Sequence, residues 1–321
     1  MIRFGILGAG NIAHRFAASL EHEPRAKLMA ASCRTLQKAQ AFLRSVPHAQ
    51  GAHAYGSFAE LLTDPEVDAI YLALPHEWHF EWAAKALQAR KAVLCEKPAM
   101  LSASQMVEIS DIVHDRNTLF MEAMKPRFTP LYKKVKEAVE TIGPITKVEA
   151  TLCNDMLGLV EGTGTYHMTP GPGSGALLDC GTYCASWIED FCPGKLRIVS
   201  VGGKFKHGID IYAAAQLDCD GVEAVLECAF DRAKPRRATI VGESGRIVVD
   251  ELHRPTQAIL VSDDGTKKGI EAPFEVDDFF GEISHFVDLY ENGDIESPIM
   301  PLNASVRDAV ILDAVRDGMN L

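Results

Sequence analysis

The 321-residue chain has eight cysteines but no CxxC pair. Cys180 and Cys184 are four apart, yet no histidine or second pair completes a metal-ligand pattern. No metal is therefore expected, and the thiols read as reduced and packed as small hydrophobes. Positive charge is scarce: 32 Lys and Arg stand against 44 Asp and Glu, a formal net charge of −12. That balance disfavours nucleic acid and anionic membrane as partners, since both need cations against phosphate. No apolar run is long enough to cross a bilayer. A strand begins at Ile2, which leaves no room for a signal peptide and points to a cytoplasmic protein. Repeats and low-complexity segments are missing too. What is present, 47% hydrophobic and 24% charged residues, suits a soluble chain of two domains.

Ile2–Leu7 is a short apolar strand that runs straight into Gly8-Ala9-Gly10-Asn11-Ile12-Ala13 and a helical stretch through Leu20. Strand, glycine turn and helix together are the context of a dinucleotide fingerprint. Gly8 allows the tight turn, Gly10 lets a pyrophosphate approach the backbone, and Ala13 permits close helix packing. Asn11 and Ile12 open the helix, whose amino end offers N–H groups to phosphate. One further absence matters here. The second strand, Lys27–Ala31, ends without the carboxylate that would hold the ribose 2′-hydroxyl of NAD. Ser32, Arg34 and Lys38 suit a 2′-phosphate instead, so NADP is expected, with NAD possible.

His53–Tyr55, Ala69–Leu74, Ala92–Cys95 and Thr118–Ala123 continue the alternation of strands and helices. Capping-box spacing marks helix starts at Ser57/Glu60 and Ser102/Gln105. The expectation is an α/β fold: a doubly wound parallel Rossmann sheet over residues 1–123. Lys97, between Glu96 and Pro98, falls at the carboxyl edge of the Ala92–Cys95 strand. In open α/β sheets ligands bind along that edge. Lys97 is thus either a cation for a substrate oxygen or a surface lysine.

Residues 124–321 read as a second, α+β domain for substrate binding and oligomerisation. Thr129-Pro130 starts a helix running to Ile142. A strand over Thr146–Leu152 follows, then a Gly/Pro-rich loop holding Tyr166 and His167, both candidate substrate contacts. A helix runs on to Phe191, and Asp179 and Tyr183, four apart, share one face of it. They are proton-handling groups or simply a surface aspartate and a core tyrosine. Ile198–Val201, Ile211–Asp218, Glu223–Phe230, Ala238–Val241 and Arg246–Val249 read as successive antiparallel strands. Helices near Val276–Tyr290 and Asn303–Val315 close the chain. Lys125 and Arg127 follow the sixth strand at the same edge as Lys97, as cations for a substrate or as residues that Pro126 turns into solvent.

The chain resembles the glucose–fructose oxidoreductase and inositol dehydrogenase family (Gfo/Idh/MocA) over essentially its whole length. Carriers are the Gly8–Ala13 turn, Pro75 with His79, Glu96-Lys97-Pro98, and Gly175-Ala176-Leu177-Leu178-Asp179-Cys180-Gly181. Val93–Pro98, Met121-Glu122-Ala123 and Tyr183-Cys184 make it most similar to dimeric dihydrodiol dehydrogenases and their sugar dehydrogenase relatives. The resemblance implies hydride transfer between a nicotinamide cofactor and a sugar, polyol or vicinal diol. Lys97 and Tyr183 would be catalytic, with Asp179 beside them. A phenol has a pKa of about 10, and a lysine cation within reach lowers it toward general acid–base work. Pro75, His76, His79, Glu96 and Lys97 would lie along the cofactor, and a second subunit would cover an open-faced sheet, giving a homodimer or a dimer of dimers. Two residues depart from the pattern. His76 stands where the family often has Asn, and Lys125 where the dihydrodiol enzymes have an aromatic, which favours an oxygen-rich or acidic sugar-like substrate. The same fold also serves glycosidases that use bound NAD transiently and regulators that sense nucleotide without turnover.

Overall fold

The computed structural model describes residues 1–160 and 168–319. Tyr166 and His167 lie outside the described residues. The chain divides into two compact units: Met1–Met100, Ser104–Ala123 and Glu275–Ser305 form the first, and Leu101–Ala103, Met124–Phe274 and Val306–Leu321 the second.

In the first unit six parallel strands lie in the order β3-β2-β1-β4-β5-β6, with β1 Ile2–Leu7, β2 Ala26–Ser32, β3 His53–Tyr55, β4 Ala69–Leu72, β5 Ala92–Glu96 and β6 Phe120–Ala123. The central strands β4 and β5 are buried along their whole length, as unbroken apolar runs require when helices cover both faces. Helices α1 (Asn11–Leu20), α2 (Leu36–Ser45), α3 (Phe58–Leu62), α4 (His79–Gln88) and α5 (Ala103–Arg116) connect them. Phe16 of α1 stacks on Tyr71 of β4 with ring centroids 3.7 Å apart and meets Phe4 of β1 edge-on. Thr35 caps α2 by accepting from the Lys38 N–H, whereas Ser57, expected to cap α3, makes no side-chain cap bond.

The second unit is built on an eight-stranded sheet in the order β14-β13-β12-β11-β7-β10-β9-β8. Its strands are β7 Ile145–Cys153, β8 Leu196–Lys206, β9 Ile209–Cys219, β10 Val222–Ala229, β11 Arg237–Gly242, β12 Gly245–Asp250, β13 Gln257–Ser262 and β14 Lys267–Glu271. The sheet is largely antiparallel, as expected, but the strands are not simply successive neighbours. β7 inserts between β10 and β11 and runs parallel to β10, and β13 and β14 extend the edge beyond the strands read from sequence. Helix α6 (Pro130–Val139) opens on Thr129, whose hydroxyl accepts from Tyr132 N–H at 3.3 Å, and Pro130 occupies its first turn. A short turn α7 (Leu157–Val160) follows β7. Helix α8 (Thr182–Phe191) packs on β7 and β10, and Trp187, Ile188 and Phe191 on the helix and Val148, Ala150 and Leu226 on the strands are all buried. The Trp187 indole donates to Leu252 O at 3.0 Å, so this large side chain is buried with its polar atom satisfied.

The assignment of everything after Ala123 to one domain is corrected over Glu275–Ser305. Helix α9 (Phe280–Asn292) belongs to the first unit because its apolar face completes that core. Phe286 lies 5.6 Å from the Phe4 ring, Ser19 donates to Asp277 at 2.8 Å, and Arg15 pairs with Asp278 and lies over the Phe279 ring. Helix α10 (Leu302–Gly318) starts in the first unit and finishes in the second. All eight cysteines are buried and unbridged. Among the described residues no helix is long and apolar enough to cross a membrane. One group, His53, Asp64 and Glu66, gathers metal-type ligand atoms, but the Asp64 oxygens already accept from His53, Tyr55 and the Glu66 N–H.

Candidate active site

The carboxyl edge of the parallel sheet carries the first set of site residues. Gly8 has φ +96°, and a Cβ there would stand 2.4 Å from Ala73 O, so only glycine lets β1 turn beside β4. Gly10 faces open space: a Cβ would meet nothing within 4 Å. It is the N-cap of α1, without a side-chain cap bond and without an acid in the first turn. Those uncapped N–H groups, with room in front of them, fit a phosphate. Asn11 is exposed and Ile12 half-buried beside it, while Ala13 is fully buried where a larger residue would separate α1 from the sheet.

At the end of β2, Ser32 is fully buried and its hydroxyl has no hydrogen-bond partner. Arg34 and Lys38 are exposed and without an ion-pair partner among the described residues. A buried polar atom with nothing to bind and two available cations fit the ribose end of a phosphorylated dinucleotide. The residues therefore fit NAD(P): α1 and Gly10 would hold the pyrophosphate, and Ser32, Arg34 and Lys38 the ribose.

Beyond β4 and β5 the protein locks its own backbone. Glu96 is buried, accepts from the Tyr71 hydroxyl, and takes the Lys97 N–H at 3.3 Å. The Lys97–Pro98 peptide is cis. His79 is fully buried, with Nδ1 3.0 Å from Pro98 O and Nε2 2.8 Å from Leu74 O, and burial pushes its pKa down. Glu122 of β6 accepts from Ala99 N–H at 2.9 Å. Glu96 and His79 were both expected at the cofactor. Their polar atoms are engaged by protein and hold the two loops that carry Pro75, His76 and Lys97. Lys97 is half-buried at the edge, Pro75 half-buried, and His76 buried with its ring 5.6 Å from that of His79.

The second unit holds the other set. Leu177–Gly181 forms a π-helical turn that leads directly into α8, and Asp179 on this turn is half-buried. Tyr183, in the first turn of α8, is 9% exposed and meets the His253 ring edge-on at 5.9 Å. His253, on the β12–β13 connection, carries no local sequence signal and was not foreseen. Lys125 is buried at 7% exposure, so Pro126 does not turn it into solvent. Arg127, expected among the substrate contacts, is held by protein. It is 4% exposed, donates from Nε to Ser186 Oγ at 2.8 Å and from an Nη to Glu189 at 2.6 Å, and ties its segment to α8. Its charge looked like a ligand contact because its partners lie about 60 residues away in sequence.

Residues 2–124 match the family model described as oxidoreductase family, NAD-binding Rossmann fold, and residues 132–248 match the GFO/IDH/MocA C-terminal domain. A trans-1,2-dihydrobenzene-1,2-diol dehydrogenase of Xenopus tropicalis is 30% identical, the match covering 97% of this chain and 96% of the relative. The chain belongs to the Gfo/Idh/MocA oxidoreductase family. Another relative is the scyllo-inositol 2-dehydrogenase (NADP(+)) of Bacillus subtilis, 29% identical over 100% of this chain and 98% of its own. Among solved structures a 3-ketoreductase from Actinomadura kijaniata, in complex with NADP and TDP-benzene, superimposes with a TM-score of 0.87. It is 27% identical, with 99% of this chain and 97% of that one covered. That ketoreductase has also been solved with a lysine replaced by alanine or glutamate and with a tyrosine replaced by phenylalanine.

Arg127→Ala should act on stability rather than on substrate binding. Removing one partner of a buried pair leaves Glu189 poorly compensated and costs about 3 kcal/mol. The urea midpoint should fall while the substrate KM stays within twofold; an unchanged midpoint with a raised KM would restore the substrate role.

Proposed function

We propose that the protein is an NADP-dependent dehydrogenase that oxidises a CH–OH group of a polyol, sugar or vicinal diol, or reduces the matching carbonyl. The observation that carries the reading is one sheet edge in a Gfo/Idh/MocA chain holding both a phosphate-ready helix end and Lys97. When bound, the nicotinamide ring supplies the acceptor or donor of the hydride. The protein supplies the proton chemistry. Tyr183 takes the hydroxyl proton in oxidation and returns it in reduction. Lys97 provides the positive charge that favours phenolate and stabilises the developing alkoxide. Asp179 orients the lysine or a substrate hydroxyl. The tyrosine and lysine variants of the ketoreductase relative support this choice of pair.

NADP is preferred because Ser32, Arg34 and Lys38 stand where an NAD enzyme carries an acid. A scyllo-inositol dehydrogenase (NADP(+)) and an NADP-bound ketoreductase among the relatives agree. Lys125 favours oxygen-rich or anionic substrates over an aromatic diol, since a cation stands where the dihydrodiol enzymes carry an aromatic side chain. The protein acts as a homodimer through the face of the eight-stranded sheet away from α8. A cross-strand row there runs Gln216, Val225, Glu149, Thr239, Val248, Ile259, with Ile259 41% exposed. Such a mixed apolar and polar face, continuous over six strands, suits a second copy of itself.

Lys97→Ala and Tyr183→Phe should each lower turnover by roughly 10²–10⁴, with NADP binding retained in Tyr183→Phe. Near-normal turnover in both would remove the assignment. Arg34→Ala should weaken NADP far more than NAD, by about 1.5–3 kcal/mol for the lost charge-assisted bond; equal losses for both cofactors would show that Arg34 does not read the 2′-phosphate. Light scattering at micromolar concentration should give a dimer mass, and Ile259→Arg should lower it to that of a monomer. A monomeric wild type would contradict the interface.

A further inference from the structure

Asp210, on β9, is a buried carboxylate that the reading above does not use. It is 7% exposed. Its Oδ2 accepts from Leu177 N–H at 2.7 Å, and the Ala176 N–H also favours its charged form. Leu177 opens the π-helical turn that bears Asp179 and continues into α8 with Tyr183. The two N–H groups are ones that no helical carbonyl can satisfy. Ordinarily a neighbouring Ser, Thr, Asp or Asn would cap them. Here the cap comes from a strand 33 residues away, so it fastens the helix end to the sheet as well as satisfying it.

Two features of the chain are shaped around this contact. Gly175 has φ +103°, and a Cβ there would stand 1.7 Å from Asp210 Oδ1, so the carboxylate occupies the space that any side chain would need. On β9 the register breaks between the pairs Lys204↔Tyr212 and Phe205↔Asp210, leaving Ile211 as an extra residue. That bulge shifts the alternation by one and turns Asp210 toward the helix side of the sheet.

We propose that Asp210 is a positioning residue for the acid–base step: its carboxylate clamps the amino end of the π-helical turn and so fixes where Asp179 and Tyr183 stand. The inference rests on the reading of Tyr183 as the proton-transfer group. Burial pushes the Asp210 carboxyl up to about 6, with the backbone N–H groups at Leu177 and Ala176 and Arg316 of α10 pulling the other way and the Cys228 thiol of β10 nearby. A carboxyl raised on folding costs stability above that pKa, and the cost disappears below the unfolded value. At pH 8 the chain therefore carries a charged clamp that a neutral residue would hold at lower cost, which fits a role in the site better than a role in stability alone.

The test compares wild type, Asp210→Asn, Tyr183→Phe and the double variant, at pH 8. The substrate is whichever of an inositol, aldose and trans-1,2-diol panel gives the fastest NADP⁺ reduction. Asparagine keeps the volume but loses one acceptor and the charge. Asp210→Asn should lower kcat at least tenfold with the NADP Kd within twofold, and should speed amide exchange of the Ala176–Tyr183 segment. On the Tyr183→Phe background the added loss should fall well below tenfold, because the part that acts through Tyr183 is already gone. A kcat within twofold of wild type, unchanged exchange, or losses that multiply in the double variant would overturn the proposal. Should Asp210→Asn fail to fold, Asp210→Ser serves the same comparison with a hydroxyl acceptor. If Tyr183→Phe itself keeps turnover, the reading of the site fails together with the proposal; if only Asp210→Asn keeps it, the positioning role alone fails.

Discussion

The carboxyl edge of the six-stranded sheet depends on one fully buried imidazole. His79 faces Leu74 O, past the end of β4, with one ring nitrogen and Pro98 O, past the end of β5, with the other. Backbone beyond a strand end has no ladder partners, and buried carbonyls without donors are costly. The neutral ring donates its one N–H to one of these carbonyls and packs its other nitrogen against the second, so it sits between the two loops. Glu96 and Glu122 accept from the N–H groups of Lys97 and Ala99. Lys97 therefore projects from a backbone fixed at three points. That rigidity is what a catalytic cation requires, since misplacement by an ångström costs orders of magnitude in rate.

The second unit solves a parallel problem with charge. Arg127 and Glu189 form a buried pair at α8, joined by the half-buried Arg307, whose Nε lies 3.2 Å from Glu189 and whose Nη atoms reach the carbonyls of Cys192, Pro193 and Gly194. Such clusters are weak contributors to net stability, but breaking them is expensive, so they define one arrangement of the helix against others. Trp187, Tyr132 and Phe191 supply the burial itself, with ring centroids 4.6–6.0 Å apart. Helix α8 is thus held at its carboxyl end by ion pairs, along its length by aromatic packing, and ahead of its amino end by Asp210.

The parallel half was legible because its signals are local. β4 and β5 are unbroken apolar runs, Gly8 and Gly10 answer backbone demands made within a few residues, and Thr129-Pro130 is a cap and its first turn. The second sheet was less legible because its order is set by long-range pairing: nothing within β7 announces that it will run parallel to β10, and β14, with Lys267, Lys268 and Glu271 exposed, has no apolar alternation to find. The site divides in the same way. Gly10, Ser32, Arg34 and Lys97 stand where the sequence placed them, at strand ends. The protein partners of Arg127, Glu96 and His79 were not legible, because a polar residue near a binding edge looks the same whether its partner is a ligand or a distant part of the chain. Asp210 left one faint mark, an acid one residue inside an otherwise apolar strand start, whose meaning depends on a bulge that the sequence does not reveal.

The account's central claim is net hydride transfer to a dinucleotide. The direct measurement mixes the purified protein with NADP⁺ and an inositol, aldose and trans-1,2-diol panel, and follows reduced-nicotinamide absorbance together with carbonyl product by mass spectrometry. The account predicts NADPH and a ketone or aldehyde in equal amounts. Sugar released without net NADPH, or cofactor bound with no substrate in the panel oxidised, would contradict it.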